Sequence, residues 1–338
     1  MPKSGKVIRF TGQMEIPFEE FSSRGGDERP RQRDLYARSR IEVQPTREDP
    51  PGTRVINYVS LGSGSSGNSC YIGIRGMGVI VDAGVKADFV EATLRANGVR
   101  MENVKGILLT HDHSDHVKYA YTLLRAHKHM RLYCTYRVLN GLLRRHGISK
   151  RIKDYHVPIF KEIPFKLAGM EITPFDVPHD GSDNMGFSLS YDNRNFVIAT
   201  DLGAVSERAG YYMSRASYLV IESNYDLEML KNGPYPEYLK ARIQTDHGHL
   251  DNADTAAFLR MVWNKKMEYI FLCHLSKDNN TPAKALRAVR DALGQRGVKI
   301  GMGLESLEDR RADVQLMALP RFEATRWFVF RPGNGAED

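Results

Sequence analysis

The chain has no run of about 18 apolar residues, so nothing in it reads as a membrane span. Its opening residues, MPKSGKVIRFTGQ, lack the apolar core of a secretion signal. Cysteine is scarce: Cys70, Cys134 and Cys273 are widely spaced, odd in number and without a CxxC pair. That excludes a disulfide framework and suits a reducing cytoplasm. Internal repeats and low-complexity tracts are also missing. What is present is ordinary for a globular protein: 338 residues, 41% hydrophobic and 26% charged, enough for one large core with flanking segments.

Charge is spread unevenly. Between Lys118 and Lys166 stand twelve Lys and Arg against Asp154 and Glu162 alone, a local +10 beside a whole-chain +7. Such a run is either a solvated face or a surface that tracks phosphates; its place next to the histidine cluster described below favours the second. Tyr119, Tyr121, Tyr133 and Tyr136 lie in the same stretch, where core packing or base stacking would each account for them.

Residues 1–52 are polar, with ten basic and nine acidic residues nearly cancelling, and read as an N-terminal extension. From Val55 the texture changes to short apolar runs between Gly-rich turns. VINYVSLG, CYIGI, VIVDAG, GILLTH, LYCTY, MEITPFDV, GFSLSY, NFVIATD, YLVIES and YIFLCHL read as strands. Helices are expected over 88–98, 118–129, 226–232, 235–245, 252–265 and 282–294. That order gives an α/β class with two mixed sheets and helices to cover them. Residues 53–299 form the expected catalytic domain; 300–338 form a C-terminal extension in which RWFVF could add an edge strand.

THDHSDH is the strongest chemical signal. His111, His113, Asp115 and His116 fall in one turn at the end of a buried strand. Neutral imidazoles and a carboxylate so crowded suit Zn²⁺ and similar ions. His179, Asp201 and His274 each stand just past a later apolar run, where a strand would deliver a ligand to a sheet edge.

In this order the residues resemble the metallo-β-lactamase superfamily, whose signature is HxHxDH followed by His, Asp and His. The resemblance implies an αβ/βα sandwich with two divalent metal ions, Zn²⁺ by default and Mn²⁺ or Fe²⁺ as alternatives. It assigns His111, His113 and His179 to one ion and Asp115, His116 and His274 to the other, with Asp201 bridging. Asp115, His116 and Asp201 are then the catalytic centre, holding a hydroxide between the ions, and Asp82 in VIVDAG supports the ligand loops from behind. The stretches SLGSGSSGNSCYI (60–72), ESNYDLEMLKNGPYP (222–236), HGHLDN (247–252) and HLSKDNNTP (274–282) narrow the resemblance to the YycJ/WalJ branch of bacterial exonuclease-like proteins. Tyr225 stands where that branch usually has His.

By this resemblance the function is phosphodiester hydrolysis on nucleic acid, a 5′→3′ DNA exonuclease activity of the kind used in DNA repair. The alternative is a small-molecule metallohydrolase acting on a thioester, lactone or cyclic phosphodiester, because one fold serves many chemistries. Candidate phosphate contacts are Ser65 and Asn68 in the GSGSSGN turn, His247 and His249 as acid or rim, and Ser276, Lys277 and Asn280 after His274. A plain hairpin turn and a solvent lysine are the bland readings of the first and last groups. Protein partners are not legible, and no membrane partner is expected.

Overall fold

The computed structural model describes residues 54–302 and 311–331, all within the compact unit Val43–Asp338. The expected extension 1–52 therefore lies outside the described residues.

The first sheet contains β1 (Ile56–Gly62), β2 (Ser69–Ile74), β3 (Met77–Val81), β4 (Val104–Leu108), β5 (Arg131–Cys134) and β6 (His156–Pro158). The second contains β7 (Phe165–Leu167), β8 (Met170–Asp176), β9 (Met185–Tyr191), β10 (Arg194–Ala199), β11 (Tyr218–Glu222), β12 (Tyr269–Cys273), β13 (Ile300–Gly301) and β14 (Val314–Ala318). The last strand, β15 (Phe328–Phe330), returns to the first sheet, giving orders β15-β1-β2-β3-β4-β5-β6 and β13-β14-β12-β11-β10-β9-β8-β7. Both sheets are mixed: β3 to β6 and β10 to β14 pair in parallel, the remainder antiparallel.

Strands β2 and β11 are buried at every residue: Leu219 and Ile221 of β11 share a core with the outer helices and Tyr218 and Val220 share one with the first sheet, while Tyr71 of β2 stacks on Trp327 (ring centroids 5.6 Å apart). Tyr58 packs on Phe196 and Phe271 between the sheets, with ring centroids 4.8 and 5.1 Å away. Val90, Leu94, Val138 and Leu142 bring the helices Ala87–Ala96 and Tyr136–Arg145 into that core. Phe258, Leu259, Val289 and Leu293 do the same outside the second sheet, from the helices Asn252–Val262 and Pro282–Gly294. The result is the expected αβ/βα sandwich.

Two local differences from the sequence reading have physical causes. The helix expected over 118–129 forms only over Ala120–Ala126 and is separate from a short helix Ser114–Val117 before it, because the Tyr119 amide donates to Ala83 O (2.8 Å) and the Ala83 amide donates to His116 O (2.7 Å). The chain is pinned there to the end of β3. The division at 299/300 falls inside the sheets: β14 sits between β13 and β12, and β15 pairs with β1. Between them the chain crosses from sheet to sheet, with Ser63 N donating to Pro320 O (3.1 Å) and Thr325 N to Ser60 O (2.9 Å).

Candidate metal centre

Parallel strands carry their carboxyl ends to one edge, which is where α/β sheets place ligands. Here β3 ends before Asp82, β4 before His111, β10 before Asp201, β12 before His274, and β11 ends in Glu222. His179 follows β8. Asp82 and His274 both take left-handed backbone, φ 59° and 51°, conformations a side chain normally avoids. Their side chains are turned inward at the expense of local strain.

Four of the imidazoles share one plan. His116 Nδ1 lies 2.7 Å from Asp82 Oδ2, His179 Nδ1 2.9 Å from Gly248 O, and His274 Nδ1 2.8 Å from Glu222 Oε1. His111 Nδ1 lies 3.0 Å from Thr110 Oγ1, itself bonded to Asp82. Anchoring Nδ1 leaves Nε2 as the inward atom and fixes the tautomer. His113 is reversed, with Nδ1 3.3 Å from His179 Nε2 and Nε2 3.4 Å from Asp180 Oδ1. Asp201 sits between the groups: Oδ2 is 3.2 Å from His116 Nε2, and Oδ1 is 2.9 Å from His274 Nδ1. Asp115 Oδ2 approaches His116 Nε2 at 3.6 Å and His274 Nε2 at 3.5 Å.

This donor set fits divalent cations. The donor atoms of His111/His113/His179, of His111/His116/Asp201 and of Asp115/His116/His274 each lie within 4.8 Å of one another. Among the described residues, His111 Nε2, Asp201 Oδ2 and His274 Nε2 are buried without a hydrogen-bond partner. Such orphaned lone pairs are costly unless an electrophile meets them. The charges agree. Burial drives His179 down to about 4 and keeps His111 well below its usual range, so both present free lone pairs. Burial works to raise Asp201, yet His274 and His116 hold it well below the usual carboxylate range. Those two imidazoles are in turn pulled far up by the carboxylates, chiefly Asp201, against the effect of burial. Cations would replace exactly that protonic charge — hence the coupling of metal affinity to pH.

Comparison with known proteins settles the lineage. The profile of the Beta-lactamase superfamily domain matches residues 78–272. Exodeoxyribonuclease YycJ of Bacillus anthracis is 34% identical over 251 residues, 74% of this chain and 94% of that protein. The chain belongs to the metallo-β-lactamase superfamily. Within it the chain groups with the YycJ/WalJ branch: Exodeoxyribonuclease WalJ of Streptococcus pneumoniae D39 is 32% identical over 73% of this chain and 91% of its own length. The superfamily fold of YhfI from Bacillus subtilis superposes with a TM-score of 0.57, at 12% identity, over 82% of this chain and all of that one. Human tRNase Z, short form, gives 0.51 at 15% identity, over 80% and 98%. These two likenesses speak to the fold alone. Superfamily membership brings with it hydrolysis and divalent-metal binding as general properties.

Around this metallo-β-lactamase centre the expected phosphate contacts divide. His249 enters the cluster, its ring 5.1 Å from His179 and 5.2 Å from His274, while His247 is exposed. Asn68 turns inward, donating to Asp115 Oδ2 (3.1 Å) and lying 2.9 Å from His116 Nε2. Asn280 is buried and donates its amide to Ser223 O (2.9 Å) and Asn224 O (3.0 Å), bracing its own loop against theirs. Ser65 and Lys277 are exposed, and Ser276 Oγ receives the Asn279 amide. Tyr225 packs in a small apolar cluster with Leu230 and Ile243 instead of facing the ligands. The three cysteines are buried and free of disulfides.

Glu222 and Arg321 are additions that sequence reasoning passed over. Glu222 is wholly buried; Oε1 takes the Nδ1 atoms of His249 and His274 (2.8 Å each), and Oε2 takes the amides of Leu202 (3.0 Å) and Leu250 (3.2 Å). Arg321 donates to Ser65 Oγ (3.1 Å) and to Leu275 O, tying the GSGSSGN turn to the loop after His274. The signal for Glu222 was present: like Asp201, it is an acid closing an apolar run. Glu222→Gln keeps an oxygen for the two amides but offers NH₂ to two imidazole Nδ1–H groups. Steady-state kinetics is expected to show kcat reduced by about 10–100-fold, the usual cost of disturbing a ligand's orienting partner. A variant with unaltered kcat would remove Glu222 from the machinery.

Proposed function

We propose that this chain is a metal-dependent phosphodiesterase acting on nucleic acid, with DNA exonuclease activity. The observation that carries the reading is that His111 Nε2, Asp201 Oδ2 and His274 Nε2 are buried with no hydrogen-bond partner among the described residues, in a chain matching an exodeoxyribonuclease over 94% of that protein's length. His111, His113 and His179 would hold one ion and Asp115, His116 and His274 a second, with Asp201 as a donor lying between the two groups. All seven donors are nitrogen or oxygen, so zinc is the default and manganese or iron can substitute. Bound there, such ions supply Lewis acidity and a nucleophilic water near neutral pH.

The chain's own residues orient and move protons. Asp82, Glu222 and the Gly248 carbonyl fix the imidazoles by their Nδ1 atoms. His249, steadied by Glu222 through Nδ1, keeps Nε2 for the departing oxygen, the proton donor that cleavage of a diester calls for. Asn68 holds Asp115 in place. The burial of the cluster strengthens each of these interactions.

The test uses purified protein with Mn²⁺ or Zn²⁺ on end-labelled single- and double-stranded DNA, with Asp115→Ala and His116→Ala alongside. Stepwise nucleotide release by the wild type alone is expected. Equal, slow release by all three proteins, with wild-type turnover of a lactone or thioester, would transfer the chain to small-molecule hydrolysis. Chelation offers an independent measurement. Stripping metal with EDTA should lower the melting temperature reversibly, since a ligand bound at about 100 times its Kd contributes about 2.7 kcal/mol. An unchanged melting curve, with metal analysis finding none, would sink the metal assignment.

A further inference from the structure

Beside the candidate ligands lies a groove of about 590 Å³ that the reaction described so far does not use. Arg137, Asn140, Arg144, Lys150, Lys153 and Ser182 line it, and among the described residues no carboxylate does. Arg137, Asn140 and Arg144 are spaced i, i+3, i+7 on the helix Tyr136–Arg145, so they share one face. Lys150 and Lys153 are three apart on the 3₁₀ turn Lys150–Tyr155, where that spacing superposes side chains. Two cationic rows therefore border one channel.

All four cations are exposed, and among the described residues none has a carboxylate within ion-pair distance. Their neighbours differ: Arg145 pairs with Asp112, and Lys161 with Asp176 and Asp183. Four like charges facing one channel repel each other, and a polyanion is the partner that reverses the sign of that energy.

The groove is also fixed to the metal motif. Ser182 donates through its amide (2.8 Å) and its hydroxyl (2.7 Å) to the carboxylate of Asp112, the residue between His111 and His113. On the other wall, a Cβ at Gly141 would fall 1.9 Å from Asp112 Oδ2, so the helix backbone rests against the same carboxylate. His146 Nε2 lies 2.5 Å from Asp112 O. Asp112 thus joins both walls to the histidine turn, and whatever lies in the groove is held at a set distance from His111 and His113.

We infer that this groove binds the sugar–phosphate backbone of a polynucleotide next to the bond that is cut. The inference rests on the phosphodiesterase reading for its second half only. From Arg137 to Arg144 the helix rises about 10 Å, about three steps of a stacked strand at about 3.4 Å each. The groove accordingly engages two or three consecutive phosphates. Tyr136 begins the same helix, is 56% exposed and stands beside Arg137 in the chain, a flat surface for a base at that end.

The experiment measures binding apart from cleavage. A fluorescein-labelled single-stranded DNA of about twelve nucleotides, within the usual site sizes, is titrated into the full chain in EDTA and followed by anisotropy over a range of salt. The double variants Arg137→Ala/Arg144→Ala and Lys150→Ala/Lys153→Ala are compared with wild type, with melting curves to verify folding. Each is expected to raise Kd at least tenfold at low salt and to reduce the slope of log K against log salt by about 1.4, the value for two lost phosphate contacts at about 0.7 each. With metal restored, the wild-type KM should fall as the substrate lengthens from two nucleotides to about six, and the variants should lose that dependence. Unchanged Kd and slope in folded variants overturn the groove. So does displacement of the oligonucleotide by equimolar inorganic phosphate, which would make this a small-anion site. If wild type binds through these residues yet cleaves no diester with any metal, the groove stands and the phosphodiesterase reading falls. If it cleaves while the variants bind unchanged, the reverse holds.

Discussion

Asp201→Asn is expected to reduce phosphodiester hydrolysis by about 10³-fold or more and to leave the chain with less than half its metal. The side chain keeps its size, so the sheet edge need not move; only the charge and one acceptor oxygen are lost. Those are the properties the site uses. Oδ2 faces His116 and Oδ1 faces His274, with His179 Nε2 at 3.9 Å, so one carboxylate serves both groups of imidazoles. Disturbing a partner behind a single ligand costs about 10–100-fold, and here both halves are disturbed at once. Elemental analysis and initial rates on labelled DNA check the two parts separately. An Asn variant with wild-type metal content and rate would mean that Asp201 does not join the halves.

The second large effect comes from a residue with no side chain. A Cβ added at Gly84 would lie 1.5 Å from the carbonyl oxygen of Asp115 and 2.8 Å from the Asn68 amide. Three segments meet there without room to spare, since Gly84 N donates to Asn68 O (2.9 Å) and Asn68 N donates to Asp115 O (2.7 Å). Backbone cannot swing aside as a lysine tip can. Gly84→Ala must therefore push the Asp115 peptide well over an ångström, and with it the carboxylate that approaches His116 and His274. Misplacement of about 1 Å is enough for about a 10²-fold loss, and overpacking of this kind costs about 1–3 kcal/mol. Kinetics and thermal melting should show kcat down at least about 100-fold, with a melting temperature lower by several degrees. A variant indistinguishable from wild type in both would contradict the close approach at this point.

How far the sequence could be read depended on how local each signal was. THDHSDH declares itself, because four donors within six residues have few other uses. The distant donors were recoverable by one rule, a polar residue immediately past an apolar strand, and the rule also reaches Glu222. Glu222 escaped because its role arises from His249 and His274, 27 and 52 residues on, and no local pattern records those meetings. Direction was harder than identity. His247 and His249 are two residues apart, yet only the second turns in. Asn68 and Asn280 have the right chemistry for phosphate, but a polar side chain does not announce which way it faces, and both spend it inside. At the C-terminal end RWFVF reads as an edge strand and forms one, whereas VQLMA carries no local sign, because it gains its meaning from pairing with β12, far back in the chain.

That late pairing also sets a clock. Every candidate ligand is translated before Val314–Ala318 and Phe328–Phe330, the strands that flank β12 and β1, and before Arg321, which ties the turn after β1 to the loop after His274. At about 5–20 residues per second, the interval from His274 to the last strand lasts a few seconds. During it the ribosome carries a nascent chain that holds all its ligands but not yet the clasp that locks them in register. The centre would thus take its final geometry only after the chain has been read well past the residues that build it.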